Sequence, residues 1–243
     1  MLFRSVIDSE QGHSITGGAL TYNDKRNFVA DIQQHCPVPI TIENDAKCAA
    51  LAEAWKGSLV GCKNGIVVVL GTAVGGGIFL NGQLYKGSHF AAGELSFLLT
   101  DSWHAKGEPY HYWGHDGGSR GLCRAVEHIK RLPPKSVNGQ QVFDWANEGD
   151  EDVCEALDAY TYRLAMQFFN LQSLFDPDVI AVGGGISAQP LLLQYIEQNL
   201  VYLEQHLPMH LTIPKVVRCH FMNDANLVGA LHHHLQMTET PVP

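Results

Sequence analysis

Apolar positions along this chain fall into two rhythms, short strand-like runs and longer helical stretches, and the two alternate. Val38, Ile40 and Ile42 occupy every second position, the pattern of a half-buried strand, and an alanine-rich, helix-forming run from Ala46 to Lys56 follows at once. Ile66 to Leu70 is a continuous apolar run of strand length, and Ile78 to Leu80 is a second strand. The glycine-rich stretch Gly71 to Gly77 between them reads as a turn, and Asn81-Gly82 is a strong hairpin signal. Helical periodicity is predicted over 27–35, 119–131, 151–175 and 189–206, with a short buried strand in DPDVIAVGGGIS between the last two. Residues 101–118 interleave glycine, proline, histidine and aromatic residues and read as a loop. The closing NDANLVGALHHHL reads as a helix capped by Asn223 or Asp224. Strands alternating with helices in this way define an α/β protein.

The 243 residues suffice for one large domain or two smaller ones with proper cores. With 45% hydrophobic and 17% charged residues the composition is that of an ordinary globular protein. A net charge of −9, with Lys and Arg scattered, argues against an extended nucleic-acid footprint, which needs a basic face. No apolar run approaches the roughly 18 residues of a membrane span, and MLFRSVIDSEQG has no secretory apolar region. The six cysteines (Cys36, Cys48, Cys62, Cys123, Cys154 and Cys219) are widely spaced without a CxxC pair, which reads as reduced thiols in a cytoplasmic protein.

Chemistry enters at Asn44 and Asp45. A carboxamide and a carboxylate stand where a strand gives way to a helix, a place from which side chains project into a cleft. Asp45 is a candidate catalytic base; its structural alternative is the N-cap of the helix that starts at Ala46. Two glycine-rich segments, GTAVGGG (71–77) and VGGGIS (182–187), allow backbone amides to approach a phosphate or an adenine face with no Cβ in the way. Tight turns or close packing explain each segment taken alone. Neither fits the P-loop pattern, because no lysine follows, and neither is a dinucleotide GxGxxG.

Taken together and in this order, IENDAKCAALAEAWKG, VVLGTAVGGGIFLNGQLYKG, AAGELSFL, DPDVIAVGGGIS and NDANLVGAL resemble the ROK family of sugar kinases and sugar-responsive repressors, part of the actin-like ATPase superfamily. The resemblance covers nearly the whole chain. It implies an actin-like, ribonuclease H-like fold of two α/β domains with a cleft between them, residues 1–44 with 225–243 forming the remnant of an N-terminal domain and 45–224 the C-terminal one. It implies Asp45 as the catalytic base, Asn44 as a ligand of sugar hydroxyls and Glu94 as a ligand of the sugar ring. The alternative for Glu94 is a surface or capping carboxylate. Gly71, Thr72, Gly75, Gly76 and Gly77 match the family's second phosphate-binding segment, and Gly183, Gly184 and Gly185 match the segment that lies against adenosine. ATP and Mg²⁺ follow as cofactors, a sugar as substrate and a homodimer as the assembly.

Two departures shape these expectations. Kinases of the family open with an aspartate-glycine-glycine-threonine turn that holds ATP phosphates and Mg²⁺, and this sequence has none. VIDSEQGHSITGGAL resembles a region that normally lies several dozen residues in. The chain is therefore expected to be truncated, with its first domain incomplete and its turnover of ATP weak. Secondly, many members carry a histidine three residues after the glutamate and then a cysteine-rich zinc loop. Here that position is Phe97, and WHAKGEPYHYWGHDGGSRGLC keeps Cys123 alone. His104, His111 and His115 remain and read as solvent-exposed loop residues, so no structural zinc is expected. A phenyl ring at position 97 can stack on an apolar sugar face, and zinc-lacking members with GELSF-like sequences resemble the β-glucoside kinase branch. Trp103, Tyr110, Tyr112 and Trp113 either line a wider sugar site or pack the loop. His232 to His234 read as a helix face, not a metal tract.

Three functions compete. The leading one is an ATP- and Mg²⁺-dependent sugar kinase acting on a hexose or β-glucoside hydroxyl, the 6-OH. The second is a sugar-sensing repressor of the same family, and the third a non-catalytic sugar-binding protein.

Overall fold

The computed structural model describes residues 2–3, 6–18, 20–101, 106–208 and 211–238, with Leu2 and Phe3 as backbone only. Trp103 and His104 lie outside the described residues. The chain opens with β1 (Leu2–Phe3), β2 (Ile7–Asp8), β3 (His13–Ser14), α1 (Phe28–Gln33), β4 (Glu43–Asn44) and α2 (Asp45–Lys56). Then come β5 (Gly65–Leu70), β6 (Val74–Leu80), β7 (Gln83–Tyr85), α3 (Trp113–Asp116), α4 (Ser119–Ile129) and α5 (Gly139–Asn147). The chain closes with α6 (Glu151–Phe175), β8 (Val179–Gly183), α7 (Pro190–His206), β9 (Val216–Arg218) and α8 (Ala225–Met237). Strands β7, β6, β5, β8 and β9 lie in that order in one sheet, β7 antiparallel to β6 and β9 parallel to β8.

Contacts divide the chain into two compact units, Met1–Val67 with Gly76–Glu94 and Cys219–Pro243, and Val68–Gly75 with Leu95–Arg218. The sequence reading sets its boundary at Asn44, whereas here α2 belongs with the N-terminal strands.

In the first unit, β1 pairs parallel with β4, Leu2 opposite Glu43, and β2 with β3 forms a small antiparallel hairpin. Ile7, Phe28 and Ile42 make its core. The strand expected over 38–42 is reduced to β4. Pro37 and Pro39 remove the amide donors along one edge of that stretch, which disfavours pairing there, although Ile42 is buried as the pattern implied. α2 is buried along most of its length and α8 packs against it. The two helices cross closely at Gly229, where a Cβ would fall 1.6 Å from the Cys48 carbonyl oxygen. The ring of His232 on α8 stacks on Trp55 of α2 at 4.7 Å. Glu53, fully buried, accepts hydrogen bonds from the amides of Ser58, His220 and Phe221 and from the Ser58 hydroxyl, tying the end of α2 to the approach to α8. Asp224, one of the two expected residues, occupies the N-cap position of α8 without a side-chain hydrogen bond to the helix, and a 3-10 turn, Met222–Asp224, leads into it.

The glycine-rich turn is shorter than expected. Only residues 71–73 turn, and Gly75, Gly76 and Gly77 lie inside β6. At the far end of β6, Asn81 (φ 55) and Gly82 (φ 76) make the left-handed two-residue loop that closes Leu80 on Gln83.

The second unit is built around α6, whose apolar positions Leu157, Leu164 and Phe168 are fully buried, with α4 and α7 packed on it. Asp150 caps α6 through the Val153 amide. Helix α5 was not anticipated, yet it begins with a full capping box, Asn138 and Gln141 bonding each other's backbone. Trp113 is 2% exposed and meets Phe168 edge-on at 6.2 Å, so this member of the aromatic cluster packs the interior.

Candidate functional site

The first turn of α2 gathers the charged groups of the first unit. Asn44, not Asp45, is the N-cap: its side-chain oxygen accepts the amides of Ala46 (2.9 Å) and Lys47 (3.0 Å). Asp45 is thereby the first helical residue, half-buried, with Oδ1 2.9 Å from the Ala46 amide. A carboxylate at this position is favoured by the positive end of the helix dipole. The cap engages the Asn44 carbonyl oxygen; the other end of the amide, Nδ2, is a donor.

Glu94 comes to this turn because of glycines. Gly93 adopts φ 82 and presses on β6, where a Cβ would stand 3.1 Å from the Gly76 carbonyl oxygen. Gly77, one position on, would place a Cβ 2.4 Å from that of Ala50, so its bare Cα lets β6 lie against α2. Gly76 and Gly77 are both buried strand residues, and the bare Cα of Gly77 serves this close packing. The Glu94 carboxylate stands 3.6 Å from Lys47 Nζ, and that ammonium also donates to the Phe90 carbonyl oxygen at 2.5 Å. Burial pushes the Glu94 carboxyl above its ordinary pKa; Lys47 pulls it down, and the charges of Asp45 and Glu43 push it further up.

A second ion pair lies beneath. Buried Glu43 accepts the Asn44 amide at 2.9 Å, and its other oxygen is 3.0 Å from Lys86 Nζ, an ion pair not aligned as a hydrogen bond. Lys86 donates to Ser9 Oγ at 2.5 Å. Sequence reasoning missed Lys47, Glu43 and Lys86. One signal was available: a lysine in the first turn of an otherwise apolar helix segment opposes the helix dipole and calls for a partner.

The second unit carries the remaining sequence-predicted residues. Gly71 and Thr72 form the turn after β5, and Gly75 is half-buried near the start of β6. The amide and hydroxyl of Ser119, at the N-terminus of α4, both donate to the Gly71 carbonyl oxygen, at 2.8 and 2.9 Å. Gly118 lies so close to this turn that a Cβ would be 2.6 Å from the Thr72 carbonyl oxygen. Gly183 ends β8; Gly184 has φ 93 and would clash through a Cβ with Leu70 at 2.3 Å; Gly185 is exposed with nothing against it. Gly184 is thus required by the fold, whereas Gly185 leaves an open backbone surface of the kind a flat ring can lie on. Phe97 is 70% exposed, and Tyr110 and Tyr112 are exposed too. His111 and His115 both flank Asp116, at 3.8 and 2.6 Å. Among the described residues no three His, Cys, Asp or Glu side chains group as a metal cage. The exposed Thr72 turn and the bare Gly185 leave backbone that a phosphate or a flat ring could approach, and a Mg²⁺ carried by phosphates would need few protein ligands.

The fold is thus a mixed α/β architecture with an acidic turn at the head of α2. The profile of the ROK family matches residues 1–236. The chain belongs to that family. It is 33% identical to a beta-glucoside kinase of Klebsiella pneumoniae over 238 residues, 97% of this chain and 77% of the relative. It is 31% identical to an N-acetyl-D-glucosamine kinase of Aliivibrio salmonicida, over 88% of this chain and 74% of the relative. A ROK family protein of Streptococcus pneumoniae, solved in complex with sucrose, superposes with a TM-score of 0.87 at 26% identity, covering 99% of this chain and 81% of the other. A ROK family glucokinase of Streptomyces griseus, solved with glucose and AMPPNP, shares the fold at a TM-score of 0.83 and 22% identity, over 96% and 80% of the two chains.

Proposed function

We propose that this chain is an ATP-dependent sugar kinase that transfers the γ-phosphoryl group to a hydroxyl, the 6-OH, of a hexose or a β-glucoside. The observation that carries the reading is the gathering of Asp45, Asn44 and Glu94 around the first turn of α2, in a family whose relatives are named as sugar kinases. Phosphoryl transfer asks little covalent chemistry of a protein; it asks for alignment, charge neutralisation and a proton acceptor. Asp45 accepts the proton of the attacking hydroxyl as the new bond to phosphorus forms. Asn44 donates through Nδ2 to a sugar oxygen, and Glu94 accepts from sugar hydroxyls, so the ring is held beside the base. Gly71, Thr72 and Gly75 hold phosphate through backbone groups, and Gly183 to Gly185 lie against adenosine. Mg²⁺ bound with the nucleotide would neutralise part of the phosphate charge. The β-glucoside preference rests on the Klebsiella relative and on the exposed ring of Phe97 where many members have a histidine. A cytoplasmic homodimer is part of the same proposal, with light scattering of the purified chain as the check. No helix among the described residues is long and apolar enough to cross a membrane.

The experiment is a coupled assay of ADP release over a panel of glucose, N-acetylglucosamine and cellobiose with MgATP. Sugar-dependent release, largest with the β-glucoside, is expected. Release that does not depend on any sugar, or none at all from protein that binds sugar, would refute the kinase reading.

A further inference from the structure

Lys47 is an unusual residue for its place. It is the third residue of α2, where a cation opposes the helix dipole, and its side chain is 1% exposed, which strips an ammonium of its water. Such a group persists only where its surroundings compensate it. Its surroundings here are the Phe90 carbonyl oxygen at 2.5 Å and Glu94 Oε1 at 3.6 Å. The loop that brings both is itself bent to do so: Phe90 adopts φ 58, a left-handed conformation uncommon outside glycine, and Gly93 adopts φ 82.

We propose that Lys47 is the positioning residue of Glu94: its ammonium, anchored on the Phe90 carbonyl, holds the carboxylate through Oε1, so that Oε2 accepts hydrogen bonds from sugar hydroxyls. The inference rests on the sugar-binding reading of Glu94. The groups that face this carboxylate from its neighbours are Lys47 and Asp45 on α2 and Glu43 on β4, and of these only Lys47 favours the ionised form. Without it, burial and two carboxylates act unopposed. Glu94 would take up a proton at higher pH and present a donor where the sugar needs an acceptor.

The test uses the full chain and two readouts across a pH series: calorimetric binding of glucose and cellobiose, and ¹³C titration of the Glu94 carboxyl, assigned through Glu94→Gln. Lys47→Met is expected to weaken sugar binding about tenfold at neutral pH. It should also move both the acid limb of binding and the Glu94 titration upward by about one pH unit or more. Lys47→Arg, which keeps the charge, should leave the limb near its wild-type position. In a Glu94→Gln background Lys47→Met should add no further loss, because the two residues act as one unit. A Glu94 titration unmoved by Lys47→Met, or a full additional loss in the Glu94→Gln background, overturns the proposal. If Lys47→Met does not fold, Lys47→Gln, which retains a donor for the Phe90 carbonyl without the charge, is read by the same two outcomes. Sugar binding with this pH behaviour but no phosphoryl transfer would defeat the kinase reading and leave the positioning role standing. No sugar binding by the wild-type chain would defeat both.

Discussion

Asn44 serves the fold and, on the reading above, the substrate, through opposite ends of one amide. Its oxygen caps α2 by accepting two amides, and its Nδ2 is the end assigned to the sugar. The roles separate on substitution. Asn44→Ala should lower the melting temperature by about 2–4 °C through loss of the cap. Asn44→Ser, which retains a capping oxygen but replaces the amide donor with a shorter hydroxyl that cannot reach as far, should hold the melting temperature while weakening sugar binding about fivefold. Differential scanning calorimetry beside titration calorimetry checks both; a Ser variant that binds as wild type would remove Asn44 from the sugar site. The placing of Asn44 and Asp45 at a strand-to-helix junction was legible in the sequence, and the fold brings Glu94 to the same turn. Lys47, Glu43 and Lys86 were not legible: their meaning lies in pairings with residues distant in sequence, and only the folded loop supplies those partners. Gly77, whose bare Cα lies against Ala50, illustrates a related gap. Glycine reports that a Cβ is not tolerated, without saying whether a ligand, a loop or a helix stands in its place.

At the scale of elements, the α2–α8 pair holds the acidic turn in place. Their close crossing depends on Gly229, where an added methyl would meet backbone and not a flexible side chain. Gly229→Ala should therefore destabilise the protein by about 3 kcal/mol, the upper part of the usual overpacking range, read as a shift in denaturant midpoint with the slope unchanged. A shift under about 1 kcal/mol would mean the helices part easily and do not anchor the site. The long helix α6 was read from sequence to its ends because its period runs over many turns and Asp150 caps it. The short helix α5 was missed: Gly139 at its first position masked the Asn138–Gln141 capping box. The strand expected over 38–42 failed because alternation was weighed without the two prolines that interrupt its hydrogen bonding.

For the whole molecule, family membership, the α/β architecture and the turn at Asp45 agree on one chemistry, and the chain matches about three quarters of the length of its relatives. The five ordered motifs made the family readable from sequence; the packing reasons for their glycines emerged only with the fold. The central claim is that Asp45 takes the proton of the attacking sugar hydroxyl. The most direct measurement compares Asp45→Asn with the wild-type chain in sugar-dependent phosphoryl transfer and in calorimetric sugar binding. The account predicts kcat lower by about 100-fold or more, with sugar affinity within about threefold of wild type, since asparagine preserves shape and the first turn of α2. An Asp45→Asn chain that transfers phosphate at an undiminished rate would contradict it.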